Sequence, residues 1–286
     1  MLRTIFVATV KMVGEFAHCS RRLLNQRFLR EAVGRIAGSG IIIPMFLLCL
    51  WWFGARYGWW SAYLLPGPEV VFRSFFSLVK SGELTGNIMA SMSRILKGFC
   101  AASVIALASA FLCGVYNPAL RQLSPMLEFL RHIPPMATIP MLILWFGIGE
   151  TSKLVIIVMA TFFPIFLNTV QGISQCDRGL LEVAMSFGYT RAQTLRHVVY
   201  PSSLPYILTG MRLGLGYSWR SLIAAELVAA SSGLGYMIID AEQLSRPDVI
   251  LVGILVIGCL GSVMDFSLSR LTNRFTAYKN TADGVV

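Results

Sequence analysis

Asp177-Arg-Gly-Leu-Leu-Glu182-Val-Ala-Met-Ser-Phe-Gly188-Tyr-Thr-Arg-Ala-Gln-Thr-Leu-Arg-His-Val198-Val-Tyr-Pro201 is the one long polar interval in the second half of an otherwise apolar chain. Arg178, Arg191, Arg196 and His197 outnumber Asp177 and Glu182. Leu180, Leu181, Val183, Ala184 and Phe187 fall at helical spacing, which predicts an amphipathic helix with Asp177 as N-cap and Gly188 as its stop. A further helical turn or two is expected to reach Val199, with Pro201 closing the interval.

What lies on either side decides the class. The 286 residues are 56% hydrophobic and only 13% charged, with a mean hydropathy of +0.68; soluble domains average about 25% charged residues. Several apolar runs approach the roughly 20 residues needed to cross a bilayer. They predict spans over about 41–57, 88–115, 122–146, 153–170, 204–230 and 249–268. The fold class is therefore all-α, a polytopic membrane bundle of about six helices. Pro134, Pro135 and Pro140 predict a kinked third span. Asn117-Pro118 with Arg121 reads as a short turn, and Gly147-Ile-Gly149-Glu150 as a tight outer one. Trp51, Trp52, Trp59 and Trp60 form an aromatic belt at the end of the first span.

Three segments follow: a basic N-terminal stretch over 1–39, a transmembrane domain over 40–270 and a C-terminal tail over 271–286. Met1 to Arg35 does not read as a signal peptide, because Lys11 and Glu15 interrupt its apolar run. The net charge of +10 would suggest nucleic acid in a soluble protein. Here it reads as the positive bias of cytoplasmic loops, and no nucleic-acid partner is expected. With both termini inside, the 177–201 interval is cytoplasmic and the outer loops are neutral to acidic. The six cysteines show no paired spacing and read as small apolar residues within spans.

The interval resembles the EAA loop of permease subunits of ABC importers, whose pattern is Glu-Ala-Ala, three residues, Gly, nine residues, then Ile-x-Leu-Pro. Glu182, Ala184, Gly188, Val198 and Pro201 stand in register, while Val183 replaces the first Ala and Tyr200 the Leu. Arg131-His-Ile-Pro134-Pro135, Trp145-Phe-Gly147-Ile-Gly149-Glu150, Gly210-Met-Arg212 and Ala224-Ala-Glu226 are similar to the taurine, alkanesulfonate, nitrate and bicarbonate subgroup. The resemblance implies a type I importer-like permease fold in a bacterial inner membrane. It implies partners too: two ATPase subunits, a second permease copy as a homodimer, and a periplasmic or lipid-anchored binding protein, besides membrane lipid. No cofactor is expected in this chain, ATP and Mg lying on the ATPase partners, and no metal site. Consistent with that division, the chain has no G-x-x-x-x-G-K-[ST] with which to cradle phosphates.

Candidate residues follow. Glu182, Ala184, Gly188, Arg191, Val198 and Pro201 would couple the chain to an ATPase. Arg212, Arg220 and Glu226 lie inside the fifth apolar run, where a charge costs about 2.5–3.5 kcal/mol on insertion scales, and are candidates for the translocation pathway. Arg220 offers a planar cation to an oxyanion, or else pairs with Glu226 or with the second copy. Gly210 and Gly214 form a G-x-x-x-G that favours close packing, expected at a subunit interface. Arg94 and Lys97 are expected to snorkel outward. No catalytic constellation is present, so the chain reads as a non-catalytic transport subunit. The rival is a self-sufficient secondary transporter or channel, but the internal repeats of such proteins are not visible here.

Overall fold

Proline and glycine decide where the apolar runs become separate helices. The computed structural model describes residues 42–115 and 117–282; the basic segment expected over 1–39 lies outside the described residues. Regular structure among those residues is entirely helical. In chain order the helices are α1 (Ile42–Arg56), α2 (Pro68–Lys80), α3 (Glu83–Val115), α4 (Asn117–Arg131), α5 (Ile139–Phe146), α6 (Glu150–Ser174), α7 (Arg178–Ser186), α8 (Arg191–Thr194), α9 (Tyr200–Ala229), α10 (Leu234–Gln243) and α11 (Pro247–Ala282). Two compact units, Met1–Pro68 and Glu69–Val286, divide the chain.

In the first unit, α1 is apolar but only 15 residues long, roughly 22 Å at 1.5 Å per residue. Two of the expected belt tryptophans have local work. Trp51 Nε1 donates to the Pro66 carbonyl at 3.1 Å and Trp60 Nε1 to that of Leu65 at 3.1 Å, which folds the segment after α1 back on itself. The Trp60 ring covers Gly54, leaving no room there for a side chain.

The second unit is built on α3, α6 and α9, which with α11 are long and apolar enough to cross a bilayer. The third expected span is not a kinked rod. Pro125–Arg131 and Pro135–Phe146 meet at 85°, because two successive prolines remove two amide donors and each disfavours helix in the residue before it. Pro134 is accordingly extended (φ −61°, ψ 127°), and a 3₁₀ turn over Pro135–Thr138 restarts the chain. Pro140 sits in the first turn of α5, where a missing N–H costs nothing. Asn117, expected in a turn, instead begins α4.

Small residues set the central packing. Gly210 lies where a Cβ would come within 2.9 Å of the Pro164 carbonyl, and Gly214 within 3.2 Å of that of Thr161. The G-x-x-x-G face of α9 therefore seats on α6 of the same chain, which corrects the expected subunit interface. Gly172 returns the approach from α6, facing Tyr206 and Ser203. The seam runs from Thr161 to Gly172, roughly 16 Å along α6. The buried Ile165 and Phe166 of α6 also cluster with Ala106, Ala110 and Cys113 of α3.

Candidate functional site: the elbow between α6 and α9

Between the paired helices α6 and α9 the chain makes an elbow closed by its own short-range hydrogen bonds. Asp177 Oδ1 accepts from the Gly179 N–H at 2.8 Å and caps α7. The other end of α7 is closed by two bonds: Gly188 N–H to the Met185 carbonyl at 2.9 Å and Tyr189 N–H to that of Ala184 at 3.0 Å. This is the Schellman pattern, and it requires the left-handed conformation that Gly188 adopts at φ 73°. Thr190 and Gln193 then form a reciprocal capping box, Thr190 N–H to Gln193 Oε1 at 2.8 Å and Gln193 N–H to Thr190 Oγ1 at 3.3 Å.

The exit from the elbow differs from expectation. Pro201 does not close a segment; the helix runs through it. Leu195–Val199 is a π turn in which the Tyr200 N–H bonds Leu195 O, and Pro201 lies in the first turn of α9. A rigid rod thus continues from Arg191 into the span.

Sequence periodicity assigned an apolar face to α7, yet most of that face is open. Of its apolar residues Ala184 alone is buried, at 4%, while Leu180, Val183, Met185 and Phe187 are exposed. Glu182 is exposed beside them and makes no ion pair among the described residues. Arg191 and Pro201 are also exposed, and Val198 is half-buried.

The three charged candidates on α9 do not form one line. Arg212 is held by Asp265 of α11 through Nε–Oδ1 at 2.7 Å and Nη2–Oδ2 at 2.8 Å. Arg220 is exposed, its guanidinium 5.8 Å from the Tyr217 ring, and pairs with no carboxylate among the described residues. Both arginines line a cavity of about 840 Å³ between α9 and α11, with Trp219, Gly258 and Asp265. Glu226 points elsewhere. It is fully buried and bonded to Arg94 Nη1 at 2.7 Å, to Ser91 Oγ and to the Gly235 N–H. Arg94 therefore does not snorkel: it is 5% exposed and anchored. Lys97 is exposed. No group of three or more His, Cys, Asp or Glu among the described residues is arranged to hold a metal.

Against protein families, residues 102–277 match the binding-protein-dependent transport system inner membrane component. The chain belongs to that family of ABC importer permeases. It is 36% identical over 273 residues to the taurine transport system permease protein TauC of Escherichia coli, covering 93% of this chain and 97% of that one. It is 30% identical to the bicarbonate transport system permease protein CmpB of Synechococcus elongatus, over 79% of this chain and 86% of the other. Among solved structures, an amino acid ABC transporter shares the fold, with a TM-score of 0.56 at 18% identity, over 70% of this chain and 96% of that one. The permease is an integral membrane transport component of that architecture.

Sequence reasoning did not single out Ser91, Glu150, Lys153 or Asp265 as partners. One signal was present: Arg94 and Glu226 are opposite charges isolated in two apolar runs, and each is costly there without the other.

Proposed function

We propose that this permease imports a small oxyanion of the sulfonate or bicarbonate class and is driven through its elbow by a separate ATPase. The docking role is supported by the exposed Leu180, Val183, Met185 and Phe187 beside Glu182, which makes no ion pair among the described residues. An apolar patch of this kind on a self-capped, rigid loop suits a protein partner. In this reading the elbow and both termini face the cytoplasm of a bacterial inner membrane, and two ATPase subunits carry ATP and Mg. A second copy of this chain completes the pathway, and a soluble or lipid-anchored binding protein delivers the cargo outside.

In this reading the self-capped elbow passes ATPase closure to α6 and α9 together, since their glycine seam packs one closely against the other. The cargo class is supported by the names of the two relatives and by Arg220, a cation at the α9–α11 cavity with no carboxylate partner among the described residues.

A cysteine at position 182 should cross-link to the cognate ATPase and react with impermeant thiol reagents only from the cytoplasmic side. Labelling from outside intact cells would overturn the topology and the docking role together. In vesicles holding the partners, Arg220→Met should lower uptake by about ten- to hundredfold, because a hydrogen bond to a charged group contributes about 1.5–3 kcal/mol. Unchanged uptake kinetics would remove Arg220 from the pathway.

A further inference from the structure

At the end of the bundle opposite the elbow, two cations are buried. Arg94 of α3 is 5% exposed and Lys153 of α6 is 3% exposed. The guanidinium of Arg94 has two working edges. One is committed: Nη1 donates to Glu226 Oε1 at 2.7 Å and to the Ser232 carbonyl at 2.7 Å. The other grips Glu150 with two prongs, Nε to Oε2 at 2.7 Å and Nη2 to Oε1 at 2.8 Å. Lys153 Nζ donates to the same carboxylate at 3.1 Å.

The two carboxylates are held very differently. Glu226 is fully enclosed and also bonded by Ser91 and the Gly235 N–H. Glu150 is 59% exposed. It begins α6 directly after Gly147-Ile-Gly149, and a Cβ at either glycine would meet nothing within 4 Å. There is space for Glu150 to swing away, and nothing comparable for Glu226.

Charge decides what such a swing entails. Arg94 and Lys153 would keep only Glu226 as counterion, leaving one unmatched positive charge within membrane-spanning helices, which is unfavourable even where water reaches it from the open side. The grip therefore exchanges one oxyanion for another rather than opening empty. Its two parallel donors and the nearby ammonium suit a carboxylate or sulfonate edge.

We propose that Arg94 and Lys153 form an anion-binding site at this end of the permease. The chain's own Glu150 fills it in this structure, and a small free carboxylate or sulfonate takes its place. That the physiological occupant is the cargo rests on the anion-importer reading above; the existence of the site does not.

The test is chemical rescue in the assembled transporter without nucleotide. Glu150→Ala is melted across titrations of formate and of methanesulfonate, with ionic strength held constant by chloride, which has no two-oxygen edge. The variant should show a saturable rise in Tm of roughly 2–5 °C at about a hundredfold excess over Kd. Wild type should stay flat over the same range, because Glu150 competes from within the chain. Adding Lys153→Met should weaken the rescue by about tenfold or more. A Glu150→Ala protein that ignores both anions, whatever its starting Tm, would overturn the site, as would equal shifts in variant and wild type. If Glu150→Ala does not assemble, the same titration on Glu150→Gln decides. Failure of both to assemble at any anion concentration counts against exchange and for a fixed structural latch. Because the readout is binding, a negative uptake result for anionic cargo would leave it standing.

Discussion

The two ends of the bundle treat polar residues in opposite ways. At the elbow every polar contact is local: Asp177 to Gly179, Thr190 to Gln193, Tyr189 to Ala184. At the far end the contacts join distant parts of the chain, with Arg94 bonded to Glu150, Glu226 and Ser232. The elbow keeps its shape alone and leaves its charged and apolar side chains outward. The far end buries Arg94, Lys153 and Glu226 and uses its charges to tie α3, α6, α9 and the turn before α10 together. One end is formed to be touched; the other is formed to hold.

That contrast can be broken in steps. The largest loss of stability belongs to the far end. Arg94→Met strands a buried carboxylate and should destabilise the permease by about 3–5 kcal/mol, read as loss of folded complex by thermal melting. Arg94→Met with Glu226→Met should recover part of it; a double variant as damaged as the sum of the singles would deny that the two residues act as a pair. At the elbow the loss should fall on coupling. Gly188→Val forces a β-branched residue to positive φ at about 1–2 kcal/mol or more, so the subunit should still insert while substrate-stimulated ATPase activity and uptake collapse. Gly188→Asn, which tolerates the left-handed region, should retain most of both. Normal coupling in the valine variant would show that the elbow's shape does not matter. Smallest of all, Thr190→Ala removes one cap, contributing about 1 kcal/mol. It should reduce stimulated ATPase activity a few-fold at most and lower the melting temperature by no more than about 2 °C.

What could be read in the sequence divides along the same line. The elbow's entry was legible because its signals act over two to five residues: a capping Asp177 and a stop at Gly188. The network at the far end was not, because Arg94 and Glu226 are 132 positions apart and periodicity does not report which buried charge meets which. Arg94 accordingly read as a snorkelling residue. The proline cluster announced a disturbance in the third span, but a kink and an 85° break differ only in whether neighbours re-satisfy the freed carbonyls. Nor did the apolar spacing of α7 foretell that Phe187 would be 78% exposed; a helical stripe is the same whether a core or a missing partner covers it.

The π turn at Leu195–Val199 inserts one residue more than a regular helix would hold in that stretch. Each residue of an α-helix advances the side chains by about 100° around the axis. The wide turn absorbs that residue, so removing one there would close it to a regular turn with the elbow at nearly the same angle to the seated Gly210 and Gly214. A deletion in the regular helix beyond it would instead clock the elbow by about 100°. The wide turn thus takes up one residue of slack between arm and shaft, and only a deletion outside it would aim a sound arm at empty water.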